Sequence, residues 1–194
     1  MPAIDFTAAG SDHLQLARSA WSAWTSSTPE RWASLVDEDL SPLPHLRRTV
    51  NAMLDELPDE RSGLAASERL ALSTVASGPV ACSDLQRAFQ NLRPAVLNYW
   101  EVGKLIDMLA EGGAMDGLGA GPFDLRLHND EKRWKAYREG RLGITSFGRA
   151  LLEGEADWPR CNPIERWWGG VHLCGTNIWR WNAQLRTLTH PAVP

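Results

Sequence analysis

The sequence holds few cysteines. Cys82, Cys161 and Cys174 are odd in number and far apart in 194 residues, a pattern that argues against a disulfide framework and for free thiols in a reducing compartment. Long apolar runs are missing too. None nears the roughly 20 residues that a membrane span requires. The opening MPAIDFTAAGSDH has no basic segment leading into an apolar one, so neither an anchor nor a secretory leader is expected. A cytoplasmic location with no membrane partner is the resulting expectation. The chain also lacks a phosphate loop, a dinucleotide fingerprint and a nucleophile elbow, so neither a cofactor nor an enzymatic activity is expected. It has no internal repeat and no low-complexity segment. Nor has it an excess of positive charge, with a net charge of −4 and a pI of about 5.7.

What is present suits an ordinary globular chain, with 43% hydrophobic and 23% charged residues. Its length allows one core or two small subdomains. Tryptophan is abundant, and five of the ten lie between Gly143 and Trp181. There Thr145 caps a short helix over 146–153 that Gly154 ends. Beyond it, 167–173 and 178–188 read as two strands rich in Trp, Val, Ile and Leu, joined through Cys174-Gly175-Thr176-Asn177 into one aromatic hairpin.

Earlier in the chain, Ser11 or Asp12 caps a helix to about Ser26 with Leu14, Ala17, Trp21 and Trp24 on one face. Thr28-Pro29 opens a short helix over 30–37. A third helix spans 43–57, with Leu46, Val50, Met53, Leu54 and Leu57 inward, and Pro58 stops it. The turn-rich run 58–63 is the candidate boundary. Helices over 66–77, 83–91 and 94–111 follow, the last ended by Gly112-Gly113. Then come strands at 115–118, at 123–128 in period-two alternation, and at 140–145. Helix, helix, longer helix and an antiparallel pair is the winged helix-turn-helix order. The expected fold is therefore mainly α with a small antiparallel β component. It comprises an N-terminal helical segment 1–62, a winged-helix-like domain 63–158, and a Trp-rich hairpin 159–194 packed on the same core.

Three blocks carry a family resemblance: GLAASER at 63–69, ITSFGRALLEGEADW at 144–158, and ERWWGGVHL at 165–173 followed by WRW at 179–181. With the helices over 14–24 and 43–57, they resemble a bacterial domain-of-unknown-function family, number eighteen thirty-five. The resemblance implies kinship and no activity. Relatives in that family look longer, with an additional N-terminal domain, and Ala65 stands where a serine would complete a capping box with Glu68.

Candidate chemistry is sparse. Cys161, His172 and Cys174 could bind metal, but His172-x-Cys174 offers one close pair where zinc sites usually show two. No metal site is expected. A Cys–His nucleophile would need an orienting third group that spacing does not identify. Glu153, Glu155, Asp157 and Glu165 flank a helix end and a turn, where acidic residues are ordinarily solvated. His172 shares a strand face with Trp168 and Gly170 by alternation, which favours a core histidine, and the paired glycines mark a bulge or a close backbone approach.

Two functional classes remain. The first is a binding module for a protein partner or for a second copy of itself, with Trp21, Trp24 and Trp32 as its candidate interface. The second is a DNA-binding regulator. Residues 126–149 carry seven basic and three acidic side chains in an otherwise acidic chain. Arg126, Lys132, Arg133, Lys135, Arg138 and Arg141, with Arg149, line either a solvated loop or an anion-facing surface. The presumptive recognition helix is net negative, since Arg93, Asn98 and Lys104 face Glu101, Asp107 and Glu111. Any contact with nucleic acid is therefore expected through the basic wing.

Overall fold

The computed structural model describes residues 8–92 and 96–190, which leaves Arg93 and Pro94 outside the described residues. Its architecture is mixed, about 51% helical and 13% strand, with small antiparallel sheets. The chain divides into two compact units, one of 1–54 with 164–194 and one of 55–163.

The first unit is built from helices α1 (Ser11–Trp24), α2 (Glu30–Ser34) and α3 (Leu46–Leu54), with a 3-10 turn at Leu35–Asp37. The interior takes Ala20 and Ala23 from α1, whereas Leu14, Ala17 and Trp21 face solvent. The expected inward stripe of α1 is therefore corrected: of its four members, only Trp24 packs against neighbours. Three-residue spacing fitted two faces of a helix in which nearly every third residue is apolar. α3 is shorter than the expected 43–57: the chain before it makes tight turns, Leu43 N donating to Leu40 O at 3.0 Å and Leu46 N to Leu43 O at 2.8 Å, and its last helical residue is Leu54, short of Pro58.

The C-terminal part of this unit holds two hairpins rather than one. Strands β4 (Glu165–Trp168) and β5 (Val171–Cys174) pair through a two-residue Gly169-Gly170 turn, and β6 (Arg180–Asn182) pairs with β7 (Thr187–Thr189). Two adjoining glycines, Gly169 at φ +56°, are a hairpin turn in their own right, so the chain reverses there and not at 174–177. Asn182 breaks the second expected strand, its side-chain oxygen accepting from the Gln184 and Leu185 amides at 3.1 and 3.0 Å.

The second unit runs α4 (Ala66–Ala76), β1 (Val80–Ala81), α5 (Cys82–Leu92), α6 (Tyr99–Glu111), β2 (Met115–Asp116), α7 (Leu125–His128), α8 (Glu131–Glu139), β3 (Arg141–Ile144), α9 (Ser146–Glu153) and α10 (Trp158–Cys161). Its three strands pair antiparallel in the order β1-β3-β2. Leu72, Leu85, Phe89, Ile106, Leu109, Leu142, Leu151 and Trp158 fill its core. Thr145 caps α9 by accepting from Gly148 N at 3.0 Å, and Gly154 ends it left-handed at φ +77°. At α4, Glu68 accepts from the Ala65 amide at 2.7 Å, half of a capping box.

Two expectations fail in this unit. Residues 123–128 are not a strand, because Asp124 caps a helical turn by accepting from Leu127 N at 2.7 Å, and Phe123 and Leu127 are buried four apart while Leu125 is exposed. The basic segment 126–149 is consequently no wing loop: it runs through the paired helices α7 and α8, the second capped by Asp130, and on into β3 and α9. Nor is 58–63 a boundary. Asp59 accepts from the Arg61 and Ser62 amides at 2.7 Å each and pairs with Arg69, whose Nη2 also reaches the buried Ser62 hydroxyl at 2.9 Å. Burial works to raise the Asp59 carboxyl, but the Ser62 and Arg69 contacts outweigh it and hold it below the ordinary range. The turn is thus sewn into the second unit.

Trp168, 5% exposed, and Trp167, 68% exposed, are neighbours on β4 with opposite fates. Trp168→Ala should lower the urea-denaturation stability by about 3–5 kcal/mol. Trp167→Ala should stay within about 1 kcal/mol. Equal losses would contradict this inside–outside assignment.

Candidate functional site

Interface candidates come first. Trp24, Trp32 and Trp168 form one cluster, with ring centroids 4.9 Å apart for Trp24–Trp32 and 4.8 Å for Trp24–Trp168. Trp32 Nε1 donates to Val50 O at 3.3 Å and Trp168 Nε1 to Met53 O at 2.7 Å, so both indoles satisfy their polar edge inside the unit. Trp32 is therefore core, and half-buried Trp24 is engaged with it and with Trp168 inside the unit, so of the three expected interface residues only Trp21 is left on the surface. Trp21 remains at 68% exposure, with Leu14 at 52% one helical face along.

The basic residues are sorted by the same test. Arg133 donates to the Ala120 and Gly121 carbonyls at 3.3 Å each, and Arg141 to Pro79 O at 2.7 Å, so these two guanidiniums brace backbone. Arg138 lies over the Trp134 ring at 5.8 Å. Arg126, Lys132 and Lys135 are exposed. A shallow cleft of about 370 Å³ beside them is lined by Glu131 and Glu139 as well as Lys135 and Arg138, so it presents no single sign of charge.

Under α8 lies a buried polar group with no sequence motif to announce it. Asp107, 8% exposed, accepts from Phe123 N and from the Tyr137 hydroxyl, the latter at 3.3 Å. Burial pushes its carboxyl up, against the Phe123 and Tyr137 hydrogen bonds, and Glu111 and Asp124 add to the rise. Burial likewise pushes the nearby Cys82 thiol up to about 12 and raises the Tyr137 hydroxyl, which keeps both protonated. This trio ties α5, α6 and α8 together without a reactive group. Only the inward spacing of Asp107 between Gly103 and Leu109 hinted at it.

The metal-competent residues lie as follows. Cys161 is exposed at the end of α10, and Asp157 pairs with Arg160 at 3.4 Å. Among the described residues, no group of three or more His, Cys, Asp or Glu side chains is placed to hold a metal ion. His172 is not in the core. The β4–β5 register sets Trp167 opposite His172 and Glu165 opposite Cys174, so all four share the outer face of the hairpin. The imidazole stacks on Trp167 at 4.5 Å and 11°, with Nδ1 3.5 Å from Cys174 Sγ and Nε2 3.6 Å from Glu165 Oε1. Sequence reasoning named each of these residues but missed the grouping, because it placed the hairpin turn six residues late. No helix among the described residues is long and apolar enough to cross a membrane. No family model, curated protein or solved structure matches the chain.

Asp107 generates a pH test. A carboxyl raised by folding binds its proton more tightly in the folded state, so its burden is absent below the ordinary value of 3.8 and grows as pH rises through the folded pKa. The stability of the parent relative to Asp107→Asn should therefore decline with rising pH across that weakly acidic window. A difference that stays flat from acid to neutral pH would contradict the assignment.

Proposed function

We propose that this chain is a binding module that acts through protein–protein contact, with the outer face of α1 meeting the same face of a second copy. The observation that carries this reading is the exposed row Leu14, Ala17 and Trp21 on a helix whose other side is packed. An exposed tryptophan on a rigid helix loses little conformational freedom on binding and supplies the large apolar anchor that interfaces favour. The row is also self-complementary. Two antiparallel copies of α1 set Leu14 of one against Trp21 of the other, with the small Ala17 at the crossing, in the isologous manner of two-fold dimers. A patch of this size belongs to the weak, concentration-dependent class.

The second unit favours a winged-helix reading. Its order of helix, strand, two helices and two further strands, with β3 central in the sheet, follows that scheme, and α7 and α8 stand where a wing would be. The resemblance at 63–69, 144–158 and 165–173 to the domain-of-unknown-function family is a proposal of kinship and brings no activity. A nucleic-acid reading is the second choice. It is favoured by exposed Lys132, Lys135 and Arg138 on one helix and disfavoured by exposed Glu101 and Glu111 on α6.

Light scattering over a range of concentrations should show a monomer–dimer equilibrium that Trp21→Glu abolishes while the melt is unchanged. A parent that stays monomeric to millimolar concentration would remove the proposal.

For the second reading, Lys132→Glu with Lys135→Glu is the informative pair, since Arg133 is engaged with backbone. If duplex DNA binds, this pair should weaken it and lower the log–log salt slope by about two. An unchanged slope would place any contact elsewhere.

A further inference from the structure

We propose that Cys174 is a nucleophilic thiol, served by His172 as proton acceptor and Glu165 as the residue that positions His172, and that it exchanges with small disulfides. The inference goes beyond the binding reading and does not depend on it. The outer face of β4–β5 is left by core packing: Trp168, Val171 and Leu173 are buried on one side, so alternation turns Glu165, Trp167, His172 and Cys174 to the other. On that face the imidazole has two different polar neighbours. Its Nε2 lies 3.6 Å from Glu165 Oε1 and its Nδ1 3.5 Å from Cys174 Sγ. A carboxylate beside Nε2 favours the tautomer with the proton there, which leaves the Nδ1 lone pair facing the thiol. Trp167 stacked on the ring at 11° holds its plane. Asn177 Nδ2, donating to His172 O at 2.7 Å, fixes the backbone beneath it.

These parts match the thiol, base and orienting acid of a nucleophilic cysteine site. Glu165 and Cys174 are titratable groups that face the imidazole, one at each ring nitrogen. Acyl transfer needs donors for an oxyanion and a walled site that excludes water. A half-exposed strand face, with the Glu165 side chain 81% exposed, is a poor host for it. Exchange with a disulfide needs only access, a proton acceptor and a sulfur leaving group.

In the step, the Cys174 Sγ proton passes to His172 Nδ1 and Sγ attacks one sulfur of R–S–S–R. The new Sγ–S bond forms as the S–S bond breaks, and the departing RS⁻ takes the proton from the imidazolium. The products are a mixed disulfide on Cys174 and one RSH, so the disulfide is the oxidant and no other reagent is needed.

The test is stopped-flow reaction of the full chain with dithiodipyridine. Cys161→Ser and Cys174→Ser assign the phases, and the buried Cys82 reacts only on unfolding. Cys174 should react about tenfold faster than the exposed Cys161 at neutral pH, within the roughly hundredfold that a positioned base supplies. His172→Gln should remove that advantage and erase the imidazole inflection from the pH–rate profile of Cys174, which loss of packing alone would not do. Glu165→Gln should shift that inflection while Cys161 keeps its rate, and at so exposed a position it carries the test if His172→Gln fails to fold. Equal rates for Cys174 and Cys161 would overturn the proposal. So would a Cys174 profile that neither substitution alters.

Discussion

Three indoles hold together parts of the first unit that lie far apart in the chain. Trp24 ends α1, Trp32 sits in α2 and Trp168 ends β4, and their rings meet at centroid distances of 4.9, 4.8 and 6.5 Å. Such a contact demands that the β4–β5 turn come down on the last carbonyls of α1. Gly170 N donates to Trp24 O at 2.8 Å, and a side chain at Gly169 or Gly170 would run into the backbone oxygens of Trp24, Thr25 and Ser26. The double glycine is therefore a packing requirement as well as a turn. Substituting either would have to push the hairpin off the helix end, and the indole cluster would open with it.

That constraint also shapes the surface chemistry. Once Trp168 is pinned inward, period-two alternation leaves no freedom in which residues face out, and the register of a two-residue turn decides which pairs stand opposite. Glu165, Trp167, His172 and Cys174 become neighbours for the same reason that Trp168, Val171 and Leu173 become core. A one-residue slip would bury the thiol and imidazole and expose the indole, so the proposed site and the packing of the unit stand on one register.

Much of this was legible in the residues, and the misses share a cause. Caps and stops were readable, as Thr145 and Gly154 at the two ends of α9 show, because each acts through local hydrogen bonding or a left-handed backbone that glycine adopts freely. Faces and registers were less so. On α1, apolar residues fall at 14, 16, 17, 20, 21, 23 and 24, which permits more than one inward stripe, and only packing against the indole cluster selects Ala20 and Ala23. Over 123–128 the alternation of Phe123, Leu125 and Leu127 is compatible with a strand, yet Phe123 and Leu127 are equally an i, i+4 pair. The Asp124 cap settles the choice and was present in the sequence as a helix-start signal. Gly169-Gly170 was read as a bulge or a close backbone approach; the approach, to Trp24 and Thr25, is there, but the turn that the same pair makes was missed, and with it went the grouping of His172 with Glu165.

The basic segment shows how a change of secondary structure changes an electrostatic argument. Seven cations on a loop would form a diffuse, mobile charge. Five of them lie on α7 and α8, with Arg141 on β3 and Arg149 on α9, and each is individually placed. Tyr137 is buried and bonded to Asp107 and Gly103 O, and Arg133 holds the carbonyls of Ala120 and Gly121. Those two residues fix the rotation of α8 about its axis. Lys132 and Lys135, three apart, must then project together. Arg138, in the last turn, complements the helix dipole and lies over Trp134, which accounts for it without any ligand. Lys132 and Lys135, with Arg126, are thus the cations of α7 and α8 that internal packing leaves unexplained, and an anion that meets these helices is met by a pair at fixed spacing rather than by a cloud.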